Sequence, residues 1–223
     1  MTEIKSSWES NAAEWIKVIE TNQITSRKYT NKAIVDVLKE SKAEKIVDIG
    51  CGEGWLTREI LQMNKNAIGL DATIELIKNA QNKGIGNFYQ FSYEDIIASK
   101  PIPDAPFDAA IFNFCLYLNE ELISLLKATK RSLVPNGEII VQTLHPYFLI
   151  QNQLDYKSQW IKDSWKGLAG NFKDGHQWYA RTFEDWIKVF NNSGLILTNL
   201  MEVKNEVSVP ISVIFKVTNN ENL

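Results

Sequence analysis

The stretch Val47-Asp48-Ile49-Gly50-Cys51-Gly52-Glu53-Gly54-Trp55 decides how the rest of the chain is read. A short apolar run, Lys45 to Ile49, ends in three closely spaced glycines, and a helical pattern follows from about Trp55 to Met63. This predicts a buried strand, a loop whose backbone can approach a ligand, and a helix presenting free N–H groups. Asp71 ends the next apolar run, 21 positions after Gly50. A carboxylate there can accept hydrogen bonds from both hydroxyls of a ribose. Together these features point to an adenosine-containing cofactor at the carboxyl ends of the strands. A dinucleotide fingerprint would place its third glycine at position 55, where Trp55 stands, and no Walker lysine follows the loop.

Outward from this loop the alternation continues. Ala67–Leu70, Asn87–Phe91, Asp108–Phe114 and Gly137–Leu144 read as strands; Thr73–Asn82, Glu94–Ser99 and Glu120–Ser132 read as helices between them. Such a series predicts a parallel sheet covered on both faces. The tail differs: a helix over Arg181–Asn191 precedes two consecutive strands, Leu195–Val203 and Val207–Val217, expected as an antiparallel hairpin closing the sheet edge. Upstream, Trp8, Ala12, Trp15, Ile16 and Ile19 recur at helical spacing, and a second helix is expected over Thr30–Lys42. Residues 146–180 fit neither period and read as an inserted cap.

Composition narrows the possibilities. With 24 basic and 27 acidic residues the net charge is −3, which excludes a strongly cationic nucleic-acid binder. The 44% hydrophobic content over 223 residues suffices for one core, so a single domain is expected. Cys51 and Cys115 have no disulfide-framework or zinc-like spacing, and no metal is expected. The opening MTEIKSSWESNAAEW does not resemble a signal peptide, and no apolar run nears the roughly 20 residues that span a bilayer, so a cytoplasmic protein is expected.

On these motifs the sequence resembles the class I S-adenosylmethionine-dependent methyltransferases over about residues 27–145 and more loosely to its end. VDIGCGEG matches the first motif of that family, GLDAT the second, FDAAIFNFCLYL the fourth and LVPNGEIIVQTLHP the segment into the fifth strand. FSYEDI departs from the family's third pattern, with Ser92 where an acidic residue often meets the adenine amino group. The closer likeness is to small-molecule enzymes with an N-terminal lid. The resemblance implies an α/β, Rossmann-like, mostly parallel seven-stranded sheet with helices on both faces and a C-terminal antiparallel hairpin. Residues 1–43 would be a helical lid, 44–145 the cofactor-binding core, 146–180 the cap insertion and 181–223 the closing helix and strand pair.

It also implies S-adenosylmethionine as cofactor and S-adenosylhomocysteine as product. Gly50, Cys51 and Gly52 would line the methionine end, Asp48 would orient its ammonium group, and Arg27 is a candidate partner for its carboxylate. Asp71 would hold the ribose, with Ala72, Ser92 and Tyr93 around the adenine and Asn113 and Phe114 near the sulfonium. Methyl transfer from a sulfonium is a direct displacement, so the protein mainly aligns the acceptor and excludes water. His145, after the fifth strand, is the candidate general base, because an imidazole titrates near neutrality. Trp15, Tyr29, Tyr117, Tyr147, Trp165, His176, Trp178 and Tyr179 are candidates for the substrate pocket, with Phe148 and Trp160 as further cap walls. A small-molecule acceptor and a monomer or homodimer are expected; the alternatives are a tRNA or protein target, or a non-catalytic cofactor-binding protein.

Overall fold

A computed structural model describes residues 2–219. In chain order the elements are α1 (Thr2–Glu20), α2 (Arg27–Glu40), β1 (Lys45–Ile49), α3 (Trp55–Gln62), β2 (Asn66–Asp71), α4 (Ile74–Asn82), β3 (Asn87–Gln90), α5 (Tyr93–Ile97) and β4 (Phe107–Asn113). They continue with α6 (Glu121–Lys130), β5 (Leu133–Leu144), α7 (Tyr147–Gln151), β6 (Gln159–Ile161), β7 (Trp178–Ala180), α8 (Phe183–Asn192), β8 (Leu195–Lys204) and β9 (Pro210–Asn219).

Seven strands form one sheet in the order β3-β2-β1-β4-β5-β9-β8. The first five run parallel; β9 pairs antiparallel with both β5 and β8. The expected α/β fold is therefore present, and the C-terminal hairpin enters the sheet through its second strand, leaving β8 on the edge. Strand order reverses between β1 and β4, and the crevice at that switch point is where such sheets bind ligands.

The strands are long apolar runs because both faces are covered. On one face Ile34 and Leu38 of α2 and Leu56 and Ile60 of α3 pack on Ile46, Ile111, Ile140 and Ile214. On the other, residues such as Ile96, Leu122, Leu126 and Phe190 pack on Val47, Phe112, Val141 and Phe215. The cap that fitted neither period contains the short α7 and a separate two-stranded hairpin of β6 and β7, joined by a long loop. No helix of the described residues is long and apolar enough to cross a membrane.

Candidate functional site

The floor of the site is the turn from β1 into α3. Gly50 and Cys51 N–H both donate to the Leu70 carbonyl, at 2.7 and 3.0 Å, which ties the loop to the end of β2. Gly50, Gly52 and Gly54 all take the left-handed conformation, with φ of +76°, +58° and +81°. A Cβ on Gly50 would lie 2.7 Å from the Cys115 Cβ, so no side chain fits there. On Gly52 it would meet only the Trp15 indole nitrogen, at 3.8 Å, so the loop is open on the side beneath α1.

Around this loop three groups are left with hydrogen-bonding capacity. Asp71 accepts from Gly52 N–H at 2.9 Å through one oxygen and from Thr73 N–H at 2.8 Å through the other. Each oxygen keeps a second lone pair, so an aligned carboxylate can still take two ribose hydroxyls. Burial raises its pKa, against the hydrogen bonds from Thr73 and Gly52. Asp48 is 1% exposed; its Oδ2 accepts from the Thr57 hydroxyl at 2.8 Å, while Oδ1 is buried without a partner. Burial, with the nearby charges of Asp71 and Glu53 adding and the Thr57 bond opposing, pushes its pKa up to about 7. Arg27, at the start of α2, stacks over the Trp55 ring at 4.9 Å, and its guanidinium makes no hydrogen bond or ion pair with another described residue. Burial lowers its pKa, partly offset by Glu53.

These residues fit the donor that the sequence implies. The orphaned Asp48 oxygen suits an ammonium, the free Arg27 fork a carboxylate and the aligned Asp71 a ribose. Glu53 had no assigned role in the sequence reading. It is buried within the loop and pairs with Arg58 at 2.7 Å and Lys83 at 3.0 Å, fastening the loop to α3 and to the end of α4. The Cys51 side chain points away into a small core with Ile77, Ala80 and Phe88, leaving its backbone to line the loop.

A roof closes over this floor. A cavity of about 100 Å³ lies between α1, which contributes Ile4, Lys5 and Trp8, and the strand ends, which contribute Gly50, Asp71, Ala72 and Thr73. Phe91, Tyr93 and Glu94 line it after β3; Phe114, Cys115, Tyr117 and Leu118 line it after β4. Ligand pockets are typically about 300–1,000 Å³, larger than this cavity. The cap clasps that helix. Asn11 donates to the Lys173 carbonyl at 2.6 Å and accepts from Lys173 N–H at 2.7 Å. Trp165 donates its indole N–H to the Ser7 hydroxyl at 2.9 Å, and Asn171 N–H donates to Glu14 at 2.8 Å. The cap also grips the loop after β4: Tyr179 N–H donates to the Tyr117 carbonyl, and the buried Arg181 guanidinium donates to the Leu118 and Asn119 carbonyls at 2.7 and 2.9 Å.

Several expected site residues take other places. Ser92 caps α5 in a reciprocal pair with Asp95, so its side chain is engaged in the helix start, and Glu94 borders the cavity instead. Tyr93 lines the cavity but donates its hydroxyl to the Cys115 carbonyl at 3.0 Å. Phe114 lines it in a left-handed conformation, φ +53°, held by Phe114 N–H donating to Gln142 and by the Tyr117 hydroxyl donating to the Phe114 carbonyl. Asn113 ends β4 with a buried, unpartnered Oδ1, outside the cavity lining. His145 has no free ring nitrogen: Nδ1 accepts from Tyr147 N–H at 3.0 Å and Nε2 meets Glu202 at 2.8 Å. In that setting it anchors the turn after β5 and has no lone pair for a substrate proton.

The cap aromatics do not wall the cavity. Tyr147 and Trp160 are 37% and 48% exposed; Trp178 packs on Phe148 and Tyr179 on Trp160. Tyr29 packs beside α2's own core layer. Trp15 and Trp165 join Trp8 and Phe172 in a cluster between lid and cap, where Trp165 and Phe172 stack at 4.6 Å. His176 is buried behind Tyr117; its Nδ1 meets the Ser164 hydroxyl at 2.9 Å, and burial lowers its pKa to about 4. The sequence reading missed Trp8, Ile4 and Lys5 as cavity residues. The helical spacing of Trp8 was visible, but not which turn of α1 would face the ligand.

Comparison with known proteins agrees with this geometry. Residues 47–141 match a family model described as a methyltransferase domain. The chain is similar to a demethylmenaquinone methyltransferase of Tropheryma whipplei, 23% identical over 71% of this chain and 66% of the relative. It is also similar to a tRNA U34 carboxymethyltransferase of Nautilia profundicola, 33% identical over 44% of this chain and 34% of that relative. It thus spans less than two thirds of either relative's length. In fold it is similar to the Burkholderia thailandensis 1,6-didemethyltoxoflavin-N1-methyltransferase, solved with bound 1,6-didemethyltoxoflavin and S-adenosylhomocysteine. That likeness has a TM-score of 0.69, at 16% identity, and covers 99% of this chain and 88% of the other. The glycine turn with its aligned Asp71 thus lies within residues 47–141, which match a methyltransferase domain, on a seven-stranded sheet with the fold of solved S-adenosylmethionine-dependent methyltransferases.

Proposed function

We propose that this chain transfers a methyl group from S-adenosylmethionine to a small-molecule acceptor held under α1. The observation that carries the reading is Asp71, aligned by Gly52 and Thr73 N–H at the end of β2 and facing the same cavity as Gly50. S-adenosylmethionine supplies a methyl carbon on an already activated sulfur leaving group. The chain's part is to bind, orient and dry the site. Asp71 holds the ribose; Asp48 and Arg27 hold the ammonium and carboxylate ends, with residues 1–43 and 146–180 as the roof over the core.

A small acceptor is favoured by enclosure. The cavity lies between α1 and the strand ends, and α1 is in turn clasped by the cap. The net charge of −3 and relatives that carry small-molecule names support the same reading. A tRNA acceptor is the second reading, favoured by the similarity to the tRNA enzyme over 44% of this chain. It would require affinity for RNA that falls steeply with salt.

Calorimetry with S-adenosylhomocysteine tests the first step. The native chain is expected to bind saturably, and Asp71→Ala to lose about 10- to 100-fold, since a charged hydrogen-bonding group is worth about 1.5–3 kcal/mol. A folded native protein that fails to bind at millimolar product would overturn the assignment.

A further inference from the structure

Two tryptophans of the cluster between lid and cap use their indole N–H groups differently. Trp165 donates to the Ser7 hydroxyl at 2.9 Å. Trp15 is partly buried in the same cluster, and its N–H donates to no described residue. An indole N–H drawn into a protein usually has a hydrogen-bond partner. The ring is fixed by three others: Trp8 edge-on at 5.2 Å, Trp165 at 6.3 Å and Phe172 at 6.5 Å. Of its atoms, the nitrogen is the one turned to Gly52. Outside the chain neighbours of Gly52, it is the one heavy atom of the described residues within 4 Å of where a Cβ on that glycine would stand.

Charge holds the same stretch of α1 against the turn. Lys83, at the end of α4, pairs with Glu20 at the end of α1 at 3.5 Å and with Glu53 of the glycine turn at 3.0 Å. The indole N–H is thus set beside Gly52 by two separate attachments, an aromatic cluster and a bridging lysine. The chemistry of the methionine end selects its partner. An indole N–H is a donor only. The ligand ammonium offers donors alone, and the unpartnered Asp48 Oδ1 is the acceptor for it. The ribose hydroxyls have Asp71, which Gly52 N–H aligns. The carboxylate is the charged acceptor at that end, and a single Arg fork does not fill its lone pairs.

We propose that Trp15 is a cofactor-binding residue whose indole N–H donates to the carboxylate of S-adenosylmethionine, so that α1 recognises the amino-acid end of the donor. This rests on the methyltransferase reading above and moves Trp15, expected from the sequence in the substrate pocket, to the cofactor. A hydrogen bond to a charged group is of the stronger kind, so its loss is read as about a tenfold weaker affinity.

The test is calorimetry on the full chain with three ligands. They are S-adenosylhomocysteine, its decarboxylated counterpart, which lacks only the carboxylate, and methylthioadenosine, which lacks the whole amino-acid end. Trp15→Phe keeps a ring in the cluster and removes the N–H. It is expected to weaken S-adenosylhomocysteine about tenfold and to leave the other two ligands unchanged, a split that a purely structural tryptophan would not produce. Should Trp15→Phe not fold, replacing the Trp15 indole by benzothiophene removes the N–H alone and is expected to give the same split. A loss shared by all three ligands, as packing or a bond to the ribose would produce, overturns the proposal. So does an unchanged affinity for S-adenosylhomocysteine. A folded native chain that binds none of the three overturns the methyltransferase reading together with it, whereas native binding without the split removes Trp15 alone.

Discussion

The floor and the roof of this site are held together in opposite ways. The floor is joined by backbone hydrogen bonds and short ion pairs between consecutive elements: Gly50 and Cys51 to Leu70, Asp71 to Gly52 and Thr73, Glu53 to Arg58. The roof is joined by side chains that meet across about 160 positions: Asn11 with Lys173, Trp165 with Ser7, Glu14 with Asn171. A floor made from sequence neighbours loses little chain entropy on closing and is rigid before any ligand arrives. A roof made from a helix and a distant loop, each edge-on to the other through Trp8, Trp15 and Trp165, can separate without unfolding the sheet. On the proposed function, the core would supply the rigid cofactor contacts and the lid and cap the selectivity for the acceptor.

The sharpest way to break this contrast is Gly50→Ala. A Cβ there would meet Cys115 at 2.7 Å on a backbone with φ +76°. The left-handed conformation costs about 1–2 kcal/mol and the overpacking about 1–3, so a loss of about 2–5 kcal/mol is expected in denaturant unfolding. Cofactor binding should fall with it. A variant of native stability would show that the floor is not rigid.

The second effect separates charge from shape within the floor. Asp48 has its folded pKa raised to about 7, above its ordinary value of 3.8. The folded, ligand-free state therefore binds this proton more tightly than the unfolded chain. Its contribution to stability is present below the unfolded pKa and declines as pH rises from about 4 through about 7. A ligand ammonium beside Oδ1 favours the ionised form, so affinity for S-adenosylhomocysteine should rise about tenfold between pH 6 and 8, with proton release. Asp48→Asn is expected to flatten both profiles. A wild-type affinity that is constant across this range would remove Asp48 from the ammonium site.

The mildest perturbation addresses the roof. Asn11→Ala removes both hydrogen bonds to Lys173 without touching the cavity. At about 1 kcal/mol net, stopped-flow tryptophan fluorescence should show release of S-adenosylhomocysteine accelerated about fivefold. Thermal unfolding of the sheet should change far less than with Gly50→Ala. An equal effect on unfolding and release would mean that roof and floor open as one unit.

How much of this was legible follows the same division. The positions of the glycine turn, Asp71, Asp48 and Arg27 in the fold are legible in the sequence because each lies at or near the end of an element whose period is plain, and the strand ends meet at one edge by topology. The Ser92 capping pair with Asp95 has a sequence signature, a serine three residues before an acidic one, which the sequence reading missed. His145 looked available because its position after β5 says nothing of Glu202, 57 residues away on an exposed edge strand. The cap aromatics look alike in sequence. Only their packing separates Trp165, buried on α1, from Trp160, half in solvent.

The sequence by itself determined the α/β order, the parallel core and the glycine turn at the strand ends. Local periodicity and glycine geometry act over a few residues and need no distant partner. Tertiary structure alone decided that Trp8 and Tyr117 border the cavity, that Trp15 covers Gly52, that His176 stands behind Tyr117 and that the cap clasps α1. Those placements depend on which of many similar apolar rings meet when two irregular segments fold back. Hydrophobic burial rewards them almost equally, so shape and a few hydrogen bonds make the choice.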